Sequence, residues 1–178
     1  MRPYVIFTES TGDLTPELIE QAQLRVLPMS FNLDGTAYRN WPDGREMSSR
    51  DFYDKLRAGG VCTTSQVTLA EYEDAFTPAL KEGYDILYLA FSSGLSGTYQ
   101  SSRLAAELLT ARFPNRRIAC VDSRQASMGE GLFAWLVAQK RLAGADFKEA
   151  QAYAEQLAPK VCAWFTVDDL MFLKRGGR

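Results

Sequence analysis

The chain has 178 residues, of which 46% are apolar, and it carries a formal net charge of −2 with no histidine. That length and composition support one folded domain with a sizeable core, or one domain and part of another, and argue against disorder. The near-neutral charge, without a dense basic run, lacks the electrostatic footprint of a nucleic-acid binder, and the missing imidazole rules out a Ser-His-Asp triad, a His-bound zinc or a histidyl phosphorelay within these residues.

In chain order, Tyr4 to Phe7 predicts a short apolar strand. Thr15-Pro16-Glu17 then supplies an N-cap, a proline at the first helical position and an early acid, opening a helix that runs to about Gln23. Val26 to Leu33 alternates as a strand, and Asp34-Gly35 is a hairpin turn toward Tyr38 that elaborates the main sheet. Ser48 caps a short helix to Leu56. Leu69, Tyr72, Phe76 and Leu80 keep helical spacing after Thr68, but Pro78 interrupts them. An interior proline costs about 3 kcal/mol, which predicts a kink or a division into two short helices. Ile86 to Phe91 is an apolar strand leading into a helix that begins near Gly97, with Leu104, Ala105, Leu108 and Leu109 as its apolar face. Ile118 to Val121 is another strand, followed by a helix marked by Leu132, Phe133, Leu136 and Val137. Asp146 with Glu149 forms a capping box before Ala150, Tyr153 and Leu157, and Val161 to Thr166 closes the pattern as a strand.

Strands alternating with helices in this way predict a three-layer α/β domain with a mainly parallel sheet. Ligands of such sheets gather at the carboxyl ends of the strands. Thr8-Glu9-Ser10-Thr11, Ser92-Ser93 and Asp122-Ser123 each fall at such an end, so three polar turns converge on one rim. The segment Phe91-Ser92-Ser93-Gly94-Leu95-Ser96-Gly97-Thr98 concentrates hydroxyls and small residues at a strand-to-helix junction, where free N–H groups and the helix dipole favour a carboxylate or phosphate. Thr63-Thr64-Ser65-Gln66 is a second hydroxyl cluster ahead of another helix. From spacing alone Thr64 and Ser65 read as a helix cap or turn, and Ser92, Ser93 and Thr98 as strand-end and cap residues. Phe91, Phe133, Trp135 and Phe165 are candidates to line an apolar tunnel, although aromatics at such spacings usually belong to the core.

No apolar run approaches the ~20 residues that span a bilayer, and the amino terminus lacks the layout of a secretory signal, so a soluble, cytoplasmic protein is expected. Cys62, Cys120 and Cys162 are scattered and outside any CxxC spacing, which predicts reduced core thiols rather than disulfides or metal ligands. No metal or other cofactor is expected.

Thr8-Glu9-Ser10-Thr11-Gly12-Asp13-Leu14, Thr64-Ser65-Gln66, Ser92 to Thr98, Asp122-Ser123 with Gly129 and Gly131, and Lys174-Arg175-Gly176-Gly177-Arg178 together resemble the DegV family, in the family's order and from the first strand to the last residue. The resemblance implies a bacterial protein that binds a long-chain fatty acid and presents its carboxylate to a separate kinase for acyl-phosphate formation; it implies a carrier, not an enzyme. Carried over onto these motifs, Thr64 and Ser96 become the head-group donors, with Ser65, Ser93 and Gly97 close by and Arg178 near the carboxylate end. Two departures stand out. The family's first motif usually carries aspartate where this chain has Glu9, and family members continue past the Gly-Gly-Arg motif into a smaller second α/β lobe. The expected organisation is therefore residues 1–160 as the N-terminal domain and 161–178 as the start of a second lobe. Two other readings remain open: an enzyme on a small metabolite, related to dihydroxyacetone kinases, whose relatives typically use a histidine absent here, and a domain that is active only in assembly, such as a homodimer.

Overall fold

The computed structural model describes residues 2–167 and 170–175. Its elements run β1 (Tyr4–Glu9), α1 (Pro16–Ala22), β2 (Leu24–Leu27), β3 (Met29–Leu33), β4 (Thr36–Asn40), α2 (Ser49–Arg57), β5 (Cys62–Ser65), α3 (Leu69–Lys81), β6 (Asp85–Ala90), α4 (Thr98–Arg112), β7 (Ile118–Asp122), α5 (Met128–Leu142), α6 (Phe147–Leu157) and α7 (Leu170–Arg175). Four strands form a parallel sheet in the order β2-β1-β6-β7, and three form an antiparallel sheet in the order β4-β3-β5.

The parallel sheet follows from strands that are apolar on both faces. Every residue of β1 and β6 is buried. Along β1, Tyr4 and Ile6 face a core with α1, α5 and α6, while Val5 and Phe7 face a second core with α3 and α4. Along β6, Leu87 and Leu89 join the first core and Ile86, Tyr88 and Ala90 the second. Helices on both faces of one sheet give the expected three-layer α/β arrangement. No helix among the described residues is long and apolar enough to cross a membrane.

Several local expectations meet a physical correction. Val26 to Leu33 is not one strand. Pro28, which has no N–H to donate, separates β2 in the parallel sheet from β3 in the antiparallel one. The Asp34-Gly35 turn does form, with φ of 52° and 86°, and it aligns Leu33 with Thr36. The hairpin builds a sheet of its own instead of extending the main one, because Cys62 to Ser65 form strand β5 and pair with β3, which puts Thr64 and Ser65 in a strand where a cap or turn was expected. Helix α3 runs unbroken through Pro78. Pro78 and Asp74, whose carbonyl would have met the missing N–H, both lie on the exposed face, so water can take that carbonyl.

On α4 the buried stripe is Ser102, Ala105, Ala106 and Leu109, whereas Leu104 and Leu108 are exposed. On α5 Phe133 and Val137 are buried, but Leu132 is exposed. Residues 161–167 form no strand: the apolar run has no neighbouring strand to pair with, and strand preference is realised only through such pairing. Cys62 and Cys120 are half-buried free thiols, but Cys162 is exposed and outside the core.

Candidate functional site

The two sheets meet at the carboxyl ends of β1 and β6 and enclose an open cavity of about 660 Å3. One wall belongs to the parallel half: Ser10 and Thr11 in the 3-10 turn after β1, Leu14 to Pro16 at the start of α1, Phe91 just past β6, and Ser96 in the turn before α4. The opposite wall is the antiparallel sheet, with Met29, Phe31, Cys62, Thr64, Ser65 and Gln66. Trp41, Met47, Phe52 and Tyr53, from the loop after β4 and from α2, complete an aromatic and thioether side.

Each wall is held by local chemistry. The backbone N–H of Met29 donates to Ser10 Oγ at 2.9 Å, which ties the start of the second sheet to the end of β1. The Phe31 ring stacks on Tyr38 at 5.4 Å and meets Phe52 edge-on at 5.3 Å, fixing α2 against its sheet. Trp41 is clasped from two directions: the Arg45 guanidinium lies 4.5 Å over its ring, and its indole N–H donates to Glu46 Oε1 at 2.8 Å.

Of the residues singled out in the sequence, Thr64, Ser65 and Ser96 come together on the cavity wall. Thr64 stands opposite Phe31 and Ser65 opposite Ser30 in the β3–β5 ladder. No side-chain hydrogen bond among the described residues engages either hydroxyl, so both are free to donate to a guest. Ser96 Oγ lies 2.8 Å from Thr98 Oγ1 and accepts the Thr98 N–H at 3.2 Å, a turn that fixes it at the mouth of α4. Ser93 does not line the cavity; its hydroxyl donates to Asp122 Oδ2 at 2.5 Å and its N–H to Oδ1 at 3.1 Å, joining the ends of β6 and β7. Gly97 N-caps α4 outside the wall, and a Cβ there would collide with the Gln66 amide oxygen, so its small size keeps Gln66 in place. Arg178 lies outside the described residues. Among the aromatic candidates Phe91 lines the cavity, while Phe133 is fully buried core, Trp135 packs against that core and Phe165 is 86% exposed.

Sequence reasoning missed the wall from α2 and the loop before it. Phe31, Trp41, Met47, Phe52 and Tyr53 carry no motif, and only the folding of the hairpin over the rim brings them together. It also missed a buried acid. Behind the rim, Glu130 on α5 is fully buried, accepting from Thr11 Oγ1 at 2.8 Å and lying 3.2 Å from Thr8 Oγ1. Glu9, 1% exposed, meets the Tyr88 hydroxyl and accepts the Phe91 N–H on Oε1, while its Oε2 has no partner among the described residues. Burial pushes the Glu9 carboxyl up from its ordinary 4.5 to about 7, against the opposing pull of its Tyr88, Phe91 and Thr11 hydrogen bonds. Burial, then the nearby Glu9, pushes Glu130 well above the usual carboxylate range.

A cavity with hydroxyls on one side and aromatic and thioether groups on the other suits an amphipathic guest with an acidic or hydroxylated head. Comparison with known proteins places the chain. Over its full length it is 42% identical to a DegV domain-containing protein of Clostridium perfringens, and over 175 residues it is 36% identical to one of Streptococcus pyogenes. Among solved structures it superposes with a TM-score of 0.83 on a DegV family protein of Thermus thermophilus described for its fatty acid binding, at 33% identity, and with a TM-score of 0.84 on DegV of Bacillus subtilis, described as a fatty acid binding protein, at 25% identity. All of this chain is covered in both superpositions. The chain spans 61% of the length of each of these four relatives. The sequence profile of the family, known as the uncharacterised proteins of the DegV family, matches residues 3–178, and the chain belongs to that family.

Proposed function

We propose that this chain carries the head-group end of a site for one long-chain fatty acid, held as a carrier and not as a catalyst, and that a separate kinase phosphorylates the carboxylate it presents. The observation that carries the reading is the cavity itself, in which the free hydroxyls of Thr64 and Ser65 and the fixed hydroxyl of Ser96 share one space with Phe31, Trp41, Met47, Phe52 and Tyr53. The relatives from Thermus thermophilus and Bacillus subtilis, both described as binding fatty acid, support the choice of guest.

In this reading Thr64 and Ser96 donate to the carboxylate, where charge-assisted hydrogen bonds are about twice as strong as neutral ones. Ser65 assists from the same strand, Ser93 braces the turn through Asp122, and Gly97 leaves room for Gln66. The acyl chain lies along the aromatic side, each buried methylene contributing roughly 0.8 kcal/mol. Most of the affinity then comes from the tail and most of the orientation from the head. Residues 161–178 begin a second lobe that covers the tail, and Arg178 pairs with the carboxylate from there.

The test is a dodecanoate titration of the Thr64→Ala, Ser96→Ala double variant, with circular dichroism to confirm an intact fold. Two hydrogen bonds to a charged group, at about 1.5 kcal/mol or more each, predict a loss of about 100-fold in affinity. A double variant that binds as tightly as the parent sinks the head-group assignment.

A further inference from the structure

We infer that Glu9 is a positioning residue for the head-group site: as a buried, protonated acid it ties the turn carrying Ser96 to the end of β1, and an anion in the cavity makes it hold that proton more firmly. The inference rests on the fatty-acid reading and deepens it.

A continuous chain of polar contacts links Glu9 to the cavity wall. Glu9 precedes Ser10 and receives the N–H of Phe91 at 3.1 Å, and both neighbours line the cavity. Its Oε1 also meets the Tyr88 hydroxyl, which lies 2.8 Å from the Tyr72 hydroxyl. Tyr72 in turn lies 3.2 Å from the carbonyl oxygen of Thr98, the residue whose Oγ1 and N–H both hold Ser96 Oγ.

Counting protons decides the state of the acid. Three contacts, Glu9 to Tyr88, Tyr88 to Tyr72 and Tyr72 to the Thr98 carbonyl, each need one hydrogen, and the two phenols supply only two. A protonated Glu9 supplies the third, donating to Tyr88, which donates to Tyr72, which donates to Thr98. With an ionised Glu9, Tyr88 turns back toward the carboxylate, and one of the remaining two contacts loses its hydrogen. The same count applies to Glu130. Thr8 Oγ1 lies 3.1 Å from the Leu89 carbonyl and 3.2 Å from Glu130 Oε1 with one proton to give, so both contacts are made only if Glu130 donates.

Among the described residues, no positive charge is placed to hold either carboxylate. Tyr88 faces them from β6, Tyr72 from α3 with Glu71 and, from β7, Cys120 beyond it, and Asp13 from the turn after β1, while α4 presents Thr98. Arg103 of α4 acts on Cys120, and Arg25 of β2 is engaged by Glu82 and by the rings of Phe7 and Tyr84. No ion pair among the described residues includes Glu9 or Glu130. Burial raises both acids, which agrees with the count. A carboxylate bound at Thr64 and Ser96, in the cavity that Ser10 and Phe91 also line, adds a like charge and raises Glu9 further, so binding takes up a proton and weakens as pH rises through the range of Glu9.

The test is carboxyl 13C NMR of glutamate-labelled protein across pH, empty and saturated with dodecanoate, with Glu9 assigned by its loss in Glu9→Gln. The expected midpoint is near neutrality when empty and higher when loaded. Dodecanoate affinity of the parent should fall about tenfold between pH 6 and pH 8.5, the equivalent of one pKa unit of coupling. Glu9→Gln, whose amide has no proton that titrates in this range, should bind equally at both pH values. A Glu9 that titrates in the ordinary carboxylate range, or that does not move with dodecanoate bound, overturns the inference alone, as does a Glu9→Gln variant with the parental pH dependence. Absence of bound dodecanoate overturns the fatty-acid reading and this inference with it.

Discussion

The parallel and antiparallel halves of this molecule are built on opposite terms. In the parallel sheet β1 and β6 are buried from end to end between two helical layers, while β4 is mostly exposed and β5 ends in the exposed run Thr63-Thr64-Ser65. The first half is held by area removed from water, the second by one aromatic trio, Phe31, Tyr38 and Phe52, and by ties across the seam. The cavity lies where a stiff wall meets a lightly held one, an arrangement that lets a guest order the weaker side.

The largest expected effect contrasts the two halves directly. Phe133 is fully buried in the core between the sheet and α5, so Phe133→Ala should cost about 3–5 kcal/mol in urea unfolding. Phe31 is half-buried, and Phe31→Ala should cost about 1–2 kcal/mol of global stability while weakening dodecanoate binding. Equal losses of stability would break the contrast and make the antiparallel half part of the same cooperative core.

A middle-sized effect probes how the stiff wall is closed. Gly131 on α5 lies so close to the turn after β1 that a Cβ would press into the Gly12 carbonyl and come within 3.2 Å of the Leu14 side chain. Both atoms belong to the segment that carries Ser10 and Thr11, and the Gly12 carbonyl, being backbone, cannot step aside as the Leu14 side chain can. Gly131→Ala should therefore cost about 1–3 kcal/mol, read as a lower thermal midpoint. A variant as stable as the parent would mean that the turn gives way freely and that the wall is not stiff there.

How far the sequence exposes this design depends on the half considered. Continuous apolar runs such as Ile86 to Ala90, and caps such as Thr15-Pro16 and Asp146 with Glu149, are local signals, and they delivered the parallel sheet, α1 and α6. That Thr64, Ser65 and Ser96 come together on the cavity wall was expected because motifs in a fixed order carried them, not because spacing did. Strand β5 was not legible: Cys-Thr-Thr-Ser lacks an alternating apolar pattern, and its pairing with β3 spans a whole helix. The amphipathic stripes misplaced Leu104, Leu108 and Leu132, since a 3.6-residue period marks a face but not how wide a strip the sheet covers. Glu130 hid inside α5 as an ordinary first-turn acid, and only its packing beneath Thr8 and Thr11 gives it meaning.

The smallest effect concerns the seam itself, at Glu71 in the first turn of α3. Its Oε2 accepts from the N–H and the hydroxyl of Thr68 at 2.8 Å each, forming the capping box, while Oε1 reaches across to Ser30 Oγ at 3.4 Å and Arg39 at 3.5 Å in the antiparallel sheet. One side chain thus serves both halves. The Arg39 pair is partly exposed and contributes little, and the cap is worth about 1 kcal/mol, so Glu71→Ala should lower global stability by only about 1 kcal/mol. Its sharper signature is local. Amide hydrogen exchange should quicken in β3 and β5, which this residue braces through Ser30 and Arg39, while β1 and β6 keep their protection. If exchange rises only in the first turn of α3, Glu71 is a cap and nothing more, and the antiparallel half is held to the core by the Met29–Ser10 hydrogen bond and the cavity-facing side chains instead.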